Sequence, residues 1–138
     1  MGKLVELWTK QLSIGIEDID NQHLRLFEIM EEVITIIQKG GDDLLVMKTI
    51  SSLMGYTLEH FTLEEYIMEK AEYPEVEAHS LLHKEFSDQL IKIKISFQEK
   101  SSPNEQLEKD IHKLLADWLR SHIREADGDY ASFVQSKA

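Results

Sequence analysis

The sequence predicts an all-α protein whose chain forms an up-down-up-down antiparallel four-helix bundle with an N-terminal arm. Apolar residues recur every three to four positions along four segments, which is typical of helices that bury one face. Short stretches rich in Gly, Pro or Ser separate the segments, and short connections make neighbouring helices antiparallel. Alternation of apolar and polar residues over a useful length is missing from the sequence, so strands are not predicted.

The first helix is predicted from about Ile19 to Lys39, where Gly40-Gly41 ends it. Residues 1–18, which include Trp8, Leu12 and Ile14, form an expected arm across the bundle. The apolar stripe of the helix comprises Leu26, Phe27, Met30, Val33, Ile34 and Ile37.

The second helix begins at Asp42 or Asp43, either of which can cap it, and runs to about Ala71 before Tyr73-Pro74. The third helix follows Pro74 and continues to about Glu99. The predicted inward positions are Leu45, Ile50, Leu53, Met54, Thr57, Phe61 and Met68 in the second helix, and Val76, Leu82, Phe86, Leu90, Ile93 and Phe97 in the third.

The fourth helix covers about Glu105 to Arg124, after a loop at Ser101-Ser102-Pro103-Asn104 in which Asn104 is the candidate N-cap. Asp127-Gly128-Asp129 is expected to interrupt the helix before a possible last turn. We therefore expect one domain over residues 1–138, with the bundle at about 19–126 and a C-terminal tail at 127–138. Inward positions of this helix are Leu107, Ile111, Leu114, Leu115, Trp118 and Leu119.

The composition excludes several classes of partner. The chain has no cysteine, so histidine and carboxylate side chains are the available metal ligands. A formal net charge of −11 repels phosphate backbones and anionic lipids, which argues against nucleic acid and membrane partners. The N-terminus lacks the apolar core of a signal peptide, and nothing approaches the roughly 18 apolar residues of a membrane span. We expect a cytoplasmic protein.

Five of the six histidines and two carboxylates have spacings that suit metal ligands on helices. Positions four apart on a helix differ by only about 40°, so they share a face. In an up-down bundle, one ligand early in the first helix, a pair late in the second, a pair early in the third and a pair late in the fourth all reach the same end. The set is His23, His60, Glu64, His79, His83, His122 and Asp127.

Each residue alone has a simpler interpretation, since a single histidine on a helix is more often solvated or hydrogen-bonded. Seven polar groups at one level of an apolar core need partners, and metal ions supply them. His112 points away from His122 and is left out. Asp127 lies five residues after His122, so it requires a widened turn or a helix end, and Glu125 is the competing carboxylate.

Seven donors exceed the capacity of one tetrahedral zinc ion and leave donors spare around one octahedral ion. Two ions bridged by both carboxylates use every donor. Imidazole and carboxylate together favour iron, with manganese or zinc as substitutes.

The chain resembles the hemerythrin family, in particular the bacterial and archaeal hemerythrin-like domains. The resemblance runs from Trp8 to about Tyr130 and rests on the stretches Gly15-Ile16-Glu17-Asp18-Ile19-Asp20-Asn21-Gln22-His23, His60-Phe61-Thr62-Leu63-Glu64-Glu65, Tyr73-Pro74 with His79 and His83, and Trp118-Leu119-Arg120-Ser121-His122-Ile123 with Asp127. Where the family often has Thr-Asp-Lys around the last ligand, this chain has Ala126-Asp127-Gly128.

The resemblance implies a non-haem di-iron centre, Fe²⁺ or Fe³⁺, bridged by Glu64, Asp127 and an oxo or hydroxo group. It assigns one iron to His79, His83 and His122 and the other to His23 and His60, with an open position for dioxygen at the second iron. Residues matching Leu26, Phe61, Trp118, Leu119 and Ile123 line the oxygen pocket in the family. All five are apolar here, although plain core packing explains any one of them equally well.

Reversible dioxygen binding, as a carrier, store or buffer, is the function that the resemblance implies, and we expect no enzymatic activity. Oxygen-activating bundle enzymes carry paired Glu-x-x-His motifs, and none joins this ligand set. The alternatives are an oxygen- or redox-sensing module, a di-iron enzyme that consumes peroxide or nitric oxide, and an iron store or zinc buffer. Since the chain ends soon after Tyr130, a free-standing role is expected rather than one with an output domain. The sequence does not identify a protein partner.

Overall fold

The structure, a computed structural model, describes residues 13–99 and 104–136, without the side chains of residues 104, 115 and 116. Three long helices come first: α1 (Glu17–Gln38), α2 (Asp43–Lys70) and α3 (Val76–Gln98). The fourth helix, residues 104–136, has five consecutive segments. These are α4 (Asn104–Lys113), π1 (Leu114–Leu119), α5 (Arg120–His122), π2 (Ile123–Asp127) and α6 (Gly128–Ser136).

The predicted all-α bundle is confirmed. Consecutive helices pack against each other, and α1 also packs against α4, so that the four helices enclose one core. The described residues contain no strand. None of their helices is sufficiently long and apolar to cross a lipid bilayer.

The core is built from the apolar faces of all four helices. Every residue of the predicted α1 stripe is buried. Two predicted core positions were wrong, because Leu45 is 46% exposed and Leu82 is 37% exposed. The inward stripes of these helices pass instead through Val46 in α2 and His83 in α3, each one residue away and therefore about 100° around the helix.

Two helix ends are closed by the same backbone arrangement. Gly40 has a φ of 71°, and the N–H of Gly41 donates to the carbonyl of Ile36, as in a Schellman motif. The predicted end at Gly40-Gly41 is thus confirmed. At the end of α2, Glu72 takes the left-handed position with a φ of 56°, and the N–H of Tyr73 donates to the carbonyl of Met68.

The helix starts differ in detail from the prediction. Helix α1 begins at Glu17, two residues before the expected start. Asp42 caps α2 as predicted, because its carboxylate accepts a hydrogen bond from the N–H of Leu45. Asn104 is the first residue of α4 and not a residue before it.

The expected interruption at residues 127–129 was wrong, because the fourth helix continues to Ser136.

At the other end of the chain, the Asp20 carboxylate accepts hydrogen bonds from Ser13 Oγ and Ile14 N at 2.7 and 2.8 Å. Ile14, the described part of the predicted arm, packs against the core. Trp8, Leu12 and the loop at residues 101–103 lie outside the described residues, and the predicted inward side chain of Leu115 is not described either.

Candidate metal centre

Seven side chains from four helices meet in the interior of the bundle. The first helix contributes His23, the second His60 and Glu64, the third His79 and His83, and the fourth His122 and Asp127. All seven residues are at most 6% exposed. The seven residues that the sequence spacings placed near one another are also near one another in the structure.

Their ligating atoms form two groups that share both carboxylates. One group contains His79, His83 and His122, and we call it the three-histidine group. The other contains His23 and His60, and we call it the two-histidine group. Within each group, one atom from every residue lies within 4.8 Å of the others, with Glu64 and Asp127 counted in both.

The two carboxylates link the groups atom by atom. Glu64 Oε1 lies 3.1 Å from His60 Nε2 and 3.2 Å from His83 Nε2. Asp127 Oδ1 lies 2.8 Å from His79 Nε2 and 3.1 Å from His122 Nε2, whereas Asp127 Oδ2 lies 3.1 Å from His23 Nε2. Each carboxylate therefore contacts both histidine groups, as a bridging ligand does.

These short distances are not hydrogen bonds. All five Nε2 atoms and all four carboxylate oxygens are buried without a hydrogen-bond partner among the described residues. Buried polar atoms without partners are costly, and buried carboxylates especially so. Imidazole nitrogens and carboxylate oxygens aimed at common points are the donors that iron, manganese and zinc accept, so the residues fit a pair of such ions.

The electrostatics keep both carboxyl groups ionised. Burial acts to raise the pKa of Glu64, as does the charge of Asp127, but contacts from His60 and His83 outweigh both and lower it from 4.5 to about 2. Burial likewise acts to raise the pKa of Asp127, and contacts from three histidines hold it well below its ordinary value. Two ionised carboxylates beside five imidazoles are prepared to receive cations.

A π-helical turn brings the last two donors together. His122 and Asp127 are five residues apart, and the segment π2 between them has the wider i to i+5 turn. The sequence required a widened turn or a helix end here, and the structure has the widened turn. The competing carboxylate, Glu125, is exposed and lies outside both groups, and so is His112.

Apolar residues surround the seven donors. Of the five predicted oxygen-pocket residues, Leu26, Phe61, Leu119 and Ile123 are at most 4% exposed. Phe61 stacks on His83 with ring centroids 3.8 Å apart and also approaches His60 at 5.7 Å. Trp118 is only partly buried, stacks on His122 at 4.6 Å and lines a surface groove of about 610 Å³ between α3 and the fourth helix.

The structure places three further residues at the centre that were not predicted from the sequence. Gln22 Oε1 lies 2.8 Å from His60 Nδ1, and Glu65 Oε2 lies 2.9 Å from His83 Nδ1. Each contact joins different helices, so no spacing within one helix reveals it. Tyr130 is fully buried beside His79. Its burial raises the pKa of its hydroxyl group, and the charges of Glu64 and Asp127 raise it further. Its position three residues after Asp127 shares a helix face and could have indicated it.

Comparisons with known proteins agree with this geometry. Residues 14–134 match the family described as Hemerythrin HHE cation binding domain. The chain is 32% identical to a bacteriohemerythrin of Stenotrophomonas maltophilia, over 94% of this chain and 82% of the relative. It is 33% identical to a bacteriohemerythrin of Pseudomonas paraeruginosa, over 94% and 81%. A myohemerythrin of Theromyzon tessulatum is 24% identical over 89% of this chain and 88% of the relative.

Proposed function

The chain belongs to the hemerythrin family, whose members are di-iron oxygen-binding proteins, and we propose that this member binds dioxygen reversibly at a pair of iron ions. The three-histidine group would hold one iron and the two-histidine group the other. Glu64 and Asp127 would serve as ligands to both ions. The observation that carries this proposal is that both carboxylates face both histidine groups at 2.8 to 3.2 Å.

When bound, the two iron ions supply the electrons that dioxygen accepts on binding and returns on release. The chain's own residues favour return over consumption. Leu26, Leu119 and Ile123 are fully buried and carry no proton donor. Irreversible reduction of dioxygen requires protons, so these buried apolar residues near the centre support reversible binding.

The test is an oxygen cycle on iron-loaded protein. Purified protein is loaded with ferrous iron without oxygen, exposed to air and then returned to vacuum while its optical spectrum is recorded. We expect an absorption band to appear in air and to disappear under vacuum over repeated cycles. A band that never appears, or that cannot be reversed, would overturn the proposal.

The rival activities are tested on the same preparation. Iron-loaded protein is mixed with hydrogen peroxide or nitric oxide, and consumption is followed beyond one equivalent per chain. Sustained consumption would replace the binding assignment with an enzymatic one. The relatives described above are named bacteriohemerythrin and myohemerythrin, which supports the binding assignment. The cytoplasmic location and the division into arm, bundle and tail stay predictions.

A further inference from the structure

Two of the five clustered histidines are held from behind by side chains of a neighbouring helix. In the three-histidine group, His83 Nδ1 lies 2.9 Å from Glu65 Oε2. In the two-histidine group, His60 Nδ1 lies 2.8 Å from Gln22 Oε1. Both histidines turn Nε2 toward the same atom, Glu64 Oε1. The two contacts therefore have the same geometry and differ in charge.

The Glu65 contact favours one neutral form of His83. A carboxylate accepts hydrogen bonds and does not donate them, so Glu65 stabilises the proton of a neutral His83 on Nδ1, and the lone pair of Nε2 is then available to a metal ion at the centre. Phe61 stacks on the ring at 3.8 Å and nearly parallel, which opposes rotation. Glu65 thus prepares His83 to bind a metal ion.

The Gln22 contact holds His60 in the same orientation without a charge. An amide oxygen accepts the Nδ1 proton as a carboxylate does, but the amide is neutral. Of the three other Nδ1 atoms in the cluster, those of His23 and His122 are buried and have no hydrogen-bond partner among the described residues. Glu65 is therefore a charged acceptor behind a clustered histidine, whereas Gln22 is a neutral one.

We propose that Glu65 and Gln22 are positioning residues that make the two iron ions unequal, so that the ion of the three-histidine group is the easier one to oxidise. This inference rests on the proposed di-iron function. A hydrogen bond to an anion makes the imidazole a stronger electron donor to its metal ion, and a stronger donor favours Fe³⁺ over Fe²⁺. The amide behind His60 has this effect to a smaller degree.

The test exchanges the two charges by isosteric substitutions. Glu65→Gln keeps an acceptor oxygen and removes the charge, while Gln22→Glu adds the charge behind the other histidine. The Fe³⁺/Fe²⁺ midpoint potentials of iron-loaded protein are measured by spectroelectrochemistry. We expect Glu65→Gln to raise the potential of the first ion oxidised, by about tenfold in the equilibrium constant or ~59 mV. Gln22→Glu is expected to lower the other potential.

Two matched variants control for net charge. Glu69→Gln removes one negative charge from the same helix a turn away, and Gln98→Glu adds one at the exposed end of α3. For each control variant, we expect the midpoint potentials to shift by less than about one fifth of the ~59 mV expected above. Equal potentials in wild type and Glu65→Gln, or equal shifts in Glu69→Gln, would overturn the inference.

A second readout does not require iron. In metal-free protein at pH 8, nitrogen-15 NMR distinguishes a histidine protonated on Nδ1 from one protonated on Nε2. We expect the Nδ1–H form for His83 in wild type and its loss in Glu65→Ala. An Nε2–H form in wild type would overturn the inference. Failure of wild type to hold iron would instead refute the proposed function and leave this NMR result unaffected.

Discussion

At the residue scale, the charged carboxylates of the centre are contacted by histidine side chains from other helices. Asp127 in the fourth helix contacts His23 from α1 and His79 from α3, both within 3.1 Å. Its own helix supplies His122. Removing one histidine therefore leaves part of a buried charge without its partner, and such a loss costs more than a lost surface contact.

The first prediction follows from that contact. His79→Ala should lower the iron content below two ions per chain and reduce the free energy of unfolding by roughly 3 kcal/mol, because Asp127 Oδ1 loses its closest partner. Iron analysis and urea unfolding measure the two effects. His112→Ala is the matched control, since His112 is exposed and outside both groups. Two ions and an unchanged urea midpoint in His79→Ala would refute the assignment.

The buried apolar residues near the centre give a second prediction. Leu26→Tyr should retain two iron ions but slow dioxygen release by roughly fivefold, because a hydroxyl in the pocket adds one hydrogen bond worth about 1 kcal/mol. Stopped-flow release after rapid oxygen removal measures the rate. Leu26→Phe adds the ring without the hydroxyl and separates crowding from hydrogen bonding. Identical release from both variants would show that the hydroxyl has no contact with dioxygen.

At the element scale, the fourth helix shows why one part of the prediction succeeded and another was wrong. Gly128 after Asp127 suggested a helix end, since glycine is a common helix terminator. The chain instead accommodates the five-residue spacing through π2 and then continues as α6. The sequence shows that the spacing from His122 to Asp127 departs from the regular helical repeat. It does not distinguish a π-helical turn from the end of the helix.

The same limit applies to the sides of helices. Periodicity predicts which face is inward to within about one residue, so Leu45 and Leu82 were assigned inward although Val46 and His83 take those positions. The seven donors were predictable because their spacings and the up-down topology agree. Gln22 and Glu65 were not, because their partners lie on other helices and depend on the rotation of each helix.

Helix ends give a third prediction. Gly40→Ala should lower the free energy of unfolding by about 1 kcal/mol, because alanine strains the left-handed backbone at a φ of 71° although a Cβ atom meets nothing within 4 Å. Gly55→Ala, also without steric contact but inside α2, should raise it by a similar amount. Urea unfolding compares the two, and changes of the same sign would contradict this account.

At the scale of the whole molecule, the protein carries a net charge of −11 and still buries two ionised carboxylates. A carboxyl group whose pKa is lowered by folding stabilises the fold fully above its unfolded pKa. That stabilisation is lost as the pH falls through the folded pKa. For Glu64 the interval runs from 4.5 down to about 2.

The fourth prediction concerns this interval. In metal-free protein, carbon-13 NMR should show Glu64 titrating well below 4.5, and the urea midpoint should fall as the pH decreases from about 4.5 toward 2. Protonation weakens the contacts with His60 and His83, which are the cause of the lowered pKa. A Glu64 titration at or above 4.5 would contradict the proposed electrostatics of the centre.

The central claim is that seven residues hold two iron ions, and anomalous diffraction from crystals of iron-loaded protein tests it most directly. Data collected on both sides of the iron absorption edge should give two peaks per chain. One peak should lie among His79, His83 and His122 and the other beside His23 and His60, with Glu64 and Asp127 between them. A single peak, or peaks away from these residues, would contradict the account.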